Sequence, residues 1–218
     1  AQPGVENANG DQRPTGLYVG LGVKVSGTQV TFEQGPLIEG DELDVAIEGR
    51  GFFQVQVEEG LGVGGIAYTR AGNFTLNSDG EIVLASDEGR RLEPAIEVPE
   101  DAIRVEITSD GRVFAFQPGE VEGTEVGQIE RAIFVNPTGL RQVGENLFVE
   151  SEASGAPILG NPAEDNFGRV RQGFLEGSNV DPTRELVELI RTQRAFEMNS
   201  QSIRAADQAL QTVAQLRR

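Results

Sequence analysis

Apolar and polar positions follow two different periods along the chain. From about Leu17 to Leu175, short runs of β-branched and apolar residues alternate with polar ones, the period of a strand with one buried face. After Gly177 the apolar spacing changes to three and four residues, which is typical of an amphipathic helix. The pattern predicts a mainly β fold, with a β-rich body of short antiparallel strands followed by a long C-terminal α-helix.

Nine runs in the first region have the composition of strands, and turn residues separate many of them. The segments NSDG (77–80) and TSDG (108–111) lie between such runs, and Asp-Gly supplies the positive φ that hairpin turns require. We expect NPTGL (136–140) and SGAPILGNPAEDN (154–166) to be loops, the second at the end of a compact β domain. The predicted strands are 23–32, 43–49, 52–57, 67–77, 81–85, 103–107, 112–117, 127–135 and 146–150.

The C-terminal helix is predicted from its start signal and its spacing. Asp181 can cap the first backbone N–H groups, and Pro182 at the first helical position loses no hydrogen bond there. No Gly or Pro interrupts the chain from there to Leu216, which gives a rod on the order of 50 Å long. Gln193 and Ser200 interrupt its apolar stripe and are expected to set register. The predicted assembly-interface residues are Leu186, Leu189, Gln193, Phe196, Ile203, Leu210 and Val213.

An apolar stripe of this length needs a surface to lie against. One interpretation folds the helix back on its own β body, but a β body closes its core with its own inward faces. The recurrence of Leu189, Phe196, Ile203 and Leu210 every seven residues favours a helical partner instead. Because the sequence begins at Ala1 without a secretory signal pattern, we expect a fragment or mature form, whose partner is a missing N-terminus or another molecule.

Composition and net charge limit the functions that the chain can have. The chain has no Cys and no His, so it lacks the usual thiolate and imidazole nucleophiles, bases and metal ligands. Its net charge is −17, and residues 182–218 carry six Arg against four acidic residues, so 1–181 carries −19. An acidic body repels phosphate backbones, so we expect no nucleic-acid partner. No apolar run reaches the ~20 residues of a bilayer span.

The candidate catalytic and ligand-binding motifs lack features that their chemistry requires. The acidic pairs Asp41–Glu42 and Glu58–Glu59 are sequence neighbours, which point to opposite faces of a strand and not across a cleft. Gly20-Leu21-Gly22 lacks the third glycine and the following helix of a dinucleotide site. A calcium loop starting at Thr75 fails at its twelfth position, Ser86. We therefore expect no enzyme activity, no catalytic residues, no cofactor and no metal site.

Two segments resemble signatures of the bacterial flagellar axial proteins, the rod and hook family. SNVDPTRELVELIRTQRAFEMNSQSIRAADQALQ (178–211) is similar to the family's C-terminal signature, and LDVAIEGRGFFQV (43–55) followed by YTRAGNF (68–74) to its central signature. PTGLYVGLGVKV (14–25) is more similar to the distal rod members than to hook or proximal rod members. The matching C-terminal positions are Ser178, Asn179, Val180, Glu185, Leu186, Gln193, Arg194, Ala195, Phe196, Glu197, Asn199 and Asp207.

The resemblance implies a layered architecture. Family members begin with an Asn-rich helix that pairs with the C-terminal helix, and we expect the present sequence to lack it. The implied layers are an innermost, channel-lining domain containing 181–218, an inner β layer of 15–42 and 159–180, and an outer β domain of 43–158. The polar extension 1–14 would bridge neighbouring subunits and keep the rod straight.

The resemblance also implies function and location. Copies would assemble helically into the hollow, torque-transmitting distal rod of the flagellum, in contact with each other, the proximal rod, the hook and, as a further candidate, the surrounding bushing rings. The subunit would lie in the periplasmic basal body after flagellar type III export. The alternative from the residues alone is an oligomeric acidic β-domain that binds a carbohydrate or protein, with the helix as a stalk. That alternative predicts a defined small oligomer, whereas the rod interpretation predicts a monomer until the N-terminal helix is restored.

Overall fold

A computed structural model of the protein describes residues 30–163 and 167–216. The chain divides into two compact units, 1–31 and 32–218, and the second is the one described below. This unit is β-rich with one C-terminal helix, which confirms the predicted fold class. Its elements are β1 (Leu37–Glu39), β2 (Val45–Glu48), β3 (Phe52–Gln56), β4 (Ile66–Thr69), β5 (Phe74–Leu76), β6 (Ile82–Leu84), β7 (Leu92–Glu93), β8 (Arg104–Ile107), β9 (Arg112–Phe116), β10 (Thr124–Gln128), β11 (Arg131–Ile133), β12 (Arg141–Gly144), β13 (Leu147–Val149), β14 (Ile158–Gly160), β15 (Arg169–Gln172), β16 (Phe174–Glu176) and α1 (Pro182–Leu216).

The strands form several small sheets around one large one. The largest sheet has the order β12-β13-β4-β3-β11-β14, with β7 also paired to β3. A three-stranded sheet has the order β10-β9-β8, and the pairs β1-β16, β2-β15 and β5-β6 complete the described part. Each ladder is antiparallel, as predicted. The strand β14 lies at an edge of the large sheet.

The body buries its own apolar side chains. Successive residues of a strand face opposite sides, so the adjacent Phe52 and Phe53 of β3 enter different clusters. Phe53 packs edge-on against Phe74, with ring centroids 5.2 Å apart. Phe52 packs edge-on against Phe32 at 5.2 Å on the other side. The β body therefore closes its core without the C-terminal helix.

Both predicted hairpins are confirmed. NSDG joins the paired strands β5 and β6, and TSDG joins the paired strands β8 and β9. Gly80 and Gly111 have φ of 79° and 82°, values that favour glycine. The predicted strands at 43–49, 52–57, 81–85, 103–107, 112–117 and 146–150 are also present, shortened by one to three residues.

Two other predicted strands and one predicted loop were wrong, and one predicted strand is tested only at its end. The predicted strand 67–77 is two strands, because the chain passes so close to β2 at Gly72 that a Cβ there would lie 1.7 Å from the carbonyl oxygen of Val45. The predicted strand 127–135 is likewise divided between β10 and β11. The predicted loop 154–166 contains β14. Of the predicted strand 23–32, residues 23–29 lie outside the described residues and 30–32 are not a strand.

The hydrophobic core is continuous across the predicted layer boundaries. Val45 and Ile47 of β2 share one buried cluster with Val170 of β15. The side chain of Gln172 accepts a hydrogen bond from the backbone N–H of Ile107 at 2.8 Å and donates one to the carbonyl of Val105, also at 2.8 Å. The division into inner and outer β layers stays a prediction, and these contacts show which residues would join them.

Candidate assembly surface

The helix α1 starts where its sequence predicts. The Asp181 carboxylate accepts hydrogen bonds from the backbone N–H groups of Thr183 at 2.9 Å and Arg184 at 3.4 Å. The backbone N–H of Glu185 donates to the Asp181 carbonyl at 3.1 Å, the first bond of the helical ladder. Pro182 occupies the first helical position, where its missing N–H costs nothing. The predicted start at Asp181 and Pro182 is confirmed.

The apolar side chains of α1 are not covered by the body. Phe196 is 74% exposed and Ile203 is 63% exposed. Among the described side chains of α1, Ser200 is partly buried and all the others are exposed. The helix therefore does not lie back on the β body in this structure. Of the predicted interface residues, Leu186, Leu189, Gln193, Phe196, Ile203 and Leu210 are exposed on α1, and Val213 is on α1 with its side chain outside the description.

The exposed stripe follows one side of α1. Leu189, Phe196, Ile203 and Leu210 are seven residues apart, so each lies about 20° behind the last on a straight helix. A stripe with this slow drift fits a partner helix that coils around it with a left-handed twist. The structure brings these residues onto one uncovered surface and shows no partner for them among the described residues.

A short neck joins α1 to the body. Strands β1 and β16 pair antiparallel, and Gly177 N–H donates to the Pro36 carbonyl at 2.8 Å. The Arg70 Nε donates to the Glu176 carboxylate at 2.8 Å, and the Gly35 N–H donates to the same carboxylate at 3.0 Å. Asn179 donates its side-chain N–H to the Glu33 carbonyl at 2.9 Å. These contacts hold residues 33–36 against residues 176–179, directly before the start of α1.

Sequence reasoning missed a buried arginine below this neck. Arg131 is completely buried and donates to the carbonyl oxygens of Gly168 and Arg50. Burial, together with the nearby positive charge of Arg70, lowers the pKa of its guanidinium to about 10. The signal available in the sequence was an arginine inside the predicted strand 127–135, which does not distinguish a buried side chain from an exposed one.

The described residues offer little for catalysis or ligand chemistry. They contain no group of three or more His, Cys, Asp or Glu side chains that could hold a metal ion. The backbone N–H of Asp41 donates to the buried carboxylate of Asp44 at 2.7 Å, so this acidic segment stabilises a turn. Across the same described ranges, no helix is long and apolar enough to cross a bilayer. The distinctive surface of the molecule is the uncovered helix.

Known proteins carry the same two regions. Residues 171–216 match the family described as "Flagellar basal body rod FlgEFG protein C-terminal", and residues 46–115 match "Flagellar hook protein FlgE/F/G D1 domain". The first match contains α1 and the second contains the centre of the β body. The family description therefore covers both the uncovered helix and the sheet to which the neck connects it.

Whole-chain relatives extend these matches. The flagellar basal-body rod protein FlgG of Agrobacterium fabrum is 43% identical over 97% of this chain and 79% of that protein. FlgG of Caulobacter vibrioides is 42% identical over the same shares. The flagellar hook protein FlgE of Salmonella typhimurium is 40% identical over only 55% of this chain and 29% of that protein. The chain therefore belongs to the FlgG family of flagellar basal-body rod proteins.

Proposed function

We propose that this chain is the structural subunit of a flagellar distal rod, which assembles helically with copies of itself into a hollow shaft that transmits torque. The observation that carries the proposal is the apolar stripe of α1, which the body leaves uncovered. Phe196 and Ile203 are each exposed by more than half, and burying a large apolar side chain contributes ~1.5–3 kcal/mol. In this subunit, that free energy becomes available on assembly.

The partner of the stripe is an N-terminal helix of the type that the family resemblance implies. Leu186, Leu189, Phe196, Ile203 and Leu210 would pack against it, and Val213 continues the same spacing. Gln193 interrupts the stripe with an amide, and a polar group at such a seam fixes register at a cost in stability. The paired helices would form the innermost domain and line the export channel, with the β layers outside them.

The remaining parts follow from family membership. Residues 15–42 with 159–180 would form the inner β layer, and 43–158 the outer β domain. The extension 1–14 would bridge neighbouring subunits and keep the rod straight. The subunit would contact the proximal rod, the hook and the bushing rings in the periplasmic basal body, after type III export. It needs no cofactor and catalyses no reaction.

The experiment is electron cryomicroscopy, under polymerising conditions, of this chain joined at its N-terminus to the N-terminal helix of a FlgG relative. Straight hollow tubes are expected. A charge placed in the seam by Phe196→Asp or Ile203→Asp must be desolvated on assembly, so both variants should form no tubes. Gln201→Asp is the matched control, because two residues from Ile203 it lies about 200° away around the helix and should leave the tubes intact.

The same experiment separates the alternative function. An acidic surface-binding module with a helical stalk predicts a small oligomer of fixed size whether or not the N-terminal segment is present. Light scattering of this fusion protein that gave one such oligomer at all concentrations, with no tubes, would contradict the rod assignment.

A further inference from the structure

Two segments without a charged residue meet on the surface of this acidic protein. Residues 132–140 and 153–163 contain no Asp, Glu, Lys or Arg, whereas 24% of the whole chain is charged. They are neighbours in space, because β11 pairs with β14 and the Asn136 side chain donates to the Ala153 carbonyl at 2.9 Å. Ile158 and Leu159 are about half exposed, and Val135 is 83% exposed. We name this surface the neutral patch.

The neutral patch continues into a cavity of about 280 Å³. Ile133, Val135 and Pro137 form its wall on the patch side, and Phe32 and Phe52 form an aromatic wall. Arg50 and Arg70 also line it. Arg70 is paired with Glu176, whereas the exposed Arg50 guanidinium has no hydrogen bond or ion pair among the described residues. The cavity is therefore apolar with one available positive charge.

The position of Arg50 is fixed by its backbone. Gly49 and Gly51 on either side have φ of 108° and 123°, which only glycine adopts readily. A Cβ at Gly51 would lie 3.3 Å from the Ala132 carbonyl oxygen, so the loop lies against β11. The buried Arg131 donates to the Arg50 carbonyl. The loop thus holds the backbone of Arg50 at the cavity, and its exposed guanidinium is within reach of an anionic partner there.

A second surface of the same chain has the complementary chemistry. Between β9 and β10, the sequence GEVEG (119–123) presents Val121 at 93% exposure. Glu120 and Glu122 flank it, both exposed, and neither carboxylate has a hydrogen bond or ion pair within the described residues. We name residues 119–123 the acidic knob. It combines one apolar side chain with two negative charges.

We propose that the acidic knob of one copy of this chain docks into the Arg50 cavity beside the neutral patch of the next copy. Val121 would fill the apolar cavity, and Glu120 and Glu122 would lie beside Arg50. Copies with a net charge of −17 repel each other, so a contact between them is most favourable where the receiving surface is neutral or positive. This inference rests on the proposed function, since it names contacts within the rod polymer.

The symmetry of the contact suits a helical polymer. The knob and the cavity are different surfaces of one chain, so the contact is heterologous and each copy keeps one free knob and one free cavity. Such a contact repeats without closing unless the rotation happens to form a ring. It would act together with the paired helices, which supply the inner part of the assembly.

The test is polymerisation of the same fusion protein, followed by sedimentation. Arg50→Glu alone, and Glu120→Arg with Glu122→Arg, should each raise the critical concentration on the order of tenfold or more, because each creates repulsion at the contact. Mixing the two variants should restore assembly, since each cavity then meets a knob of opposite charge. Val121→Ser should weaken assembly several-fold, whereas Val63→Ser, at another exposed valine, should not.

The outcomes separate this inference from the rod assignment. If the unmodified protein forms no polymer, the proposed function is contradicted. If it polymerises and the charge variants polymerise equally well, the knob-and-cavity contact is wrong while the rod assignment stands. If the single variants fail and their mixture also fails, the charges act elsewhere and the contact is again wrong. Unchanged melting temperatures of the variants would show that they fold.

Discussion

The β body and α1 use the same kinds of apolar residue with opposite results. In the body, Phe53, Leu92 and Ile129 are completely buried, whereas Phe196 and Leu210 of α1 are mostly exposed. The apolar faces of the strands are covered by other strands of the same chain. The apolar face of α1 is covered by no element of the described part of the chain. The spacing of apolar residues therefore predicts the type of secondary structure, but it does not predict which molecule covers the apolar face.

The β body and α1 also differ in net charge. Residues 1–181 carry −19 and residues 182–218 carry +2. Repulsion between acidic bodies opposes close packing of copies, and a nearly neutral helix avoids it. The acidic body buries its own apolar clusters, whereas the nearly neutral helix leaves its apolar side chains exposed.

The largest expected difference is between two phenylalanine truncations. Phe53→Ala should lower the free energy of unfolding of the body by about 3–5 kcal/mol, because it leaves a cavity in the main cluster. Phe196→Ala should change it by less than about 0.5 kcal/mol, since the side chain is mostly exposed. Urea unfolding followed by near-UV circular dichroism measures both. A loss above about 1 kcal/mol for Phe196→Ala would show that the helix packs on the body.

The start of α1 could be predicted closely from the sequence, because capping is local. Asp181 and Pro182 carry their effect within one turn, and the structure has the helix from Pro182. Strand pairing is not local. Strands β1 and β16 are joined across more than a hundred residues, and each is three residues long with a polar residue at its end, so neither had a recognisable period.

The candidate site divides in the same way. The helix stripe could be listed from spacing alone. The Arg50 cavity could not, because it brings together Phe32, a loop between two strands and the end of β11. The burial of Arg131 also depends on carbonyl groups from distant segments. These features arise from tertiary contacts, which a single sequence does not contain.

The second prediction concerns the neck between the two regions. The Arg70 and Glu176 side chains are 14% and 12% exposed, with nitrogen and oxygen 2.7 Å apart. Arg70 also donates to the carbonyls of Gly49 and Gly51 at 3.2 and 3.0 Å. Arg70→Met should therefore cost about 2–3 kcal/mol, because Glu176 loses its ion-pair partner and keeps only the Gly35 N–H, and the two glycine carbonyls lose their donor.

Glu176→Gln is the matched variant at the neck. Its single amide oxygen can replace Oε2 as the acceptor for Arg70, but the amide NH2 then lies where Oε1 accepted from Gly35. One hydrogen bond and the charge are lost, so the cost should be about 1 kcal/mol, less than for Arg70→Met. Thermal unfolding of both variants measures the order of the two effects. Equal losses would indicate that the bonds of Arg70 to the glycine carbonyls contribute nothing.

The third prediction uses pH to address the body alone. Burial, followed by the negative charge of Glu150, raises the pKa of Tyr68 from 10.0 to about 12. Because the pKa is raised, Tyr68 keeps its proton to a higher pH in the folded state than in the unfolded state. Its contribution to the free energy of unfolding is therefore fully present below pH 10 and is lost as the pH rises through 12. At pH 11 the loss should be on the order of 1 kcal/mol.

Tyr68→Phe should remove this alkaline loss. The lowered pKa of Arg131 acts with the opposite sign, since its stabilising effect grows as pH rises above 10. Both proteins contain Arg131, so the difference between their unfolding free energies from pH 9 to pH 11 isolates Tyr68. A constant difference over that range would show that Tyr68 titrates normally in the folded protein.

The smallest effect is expected from the cap of α1, and it tests the separation of the two regions most directly. Asp181→Ala removes the acceptor for the N–H groups of Thr183 and Arg184, which costs a helix about 1 kcal/mol. Because the apolar side chains of α1 are exposed and not buried in the body, the loss should appear as faster amide hydrogen exchange in the first turn and lower helical signal. The melting temperature of the body should not change. Asp181→Asn keeps a capping oxygen and should behave like the unmodified protein. A lower body melting temperature in Asp181→Ala alone would mean that the two regions fold as one cooperative unit, and that the exposed stripe is coupled to the core before any partner binds.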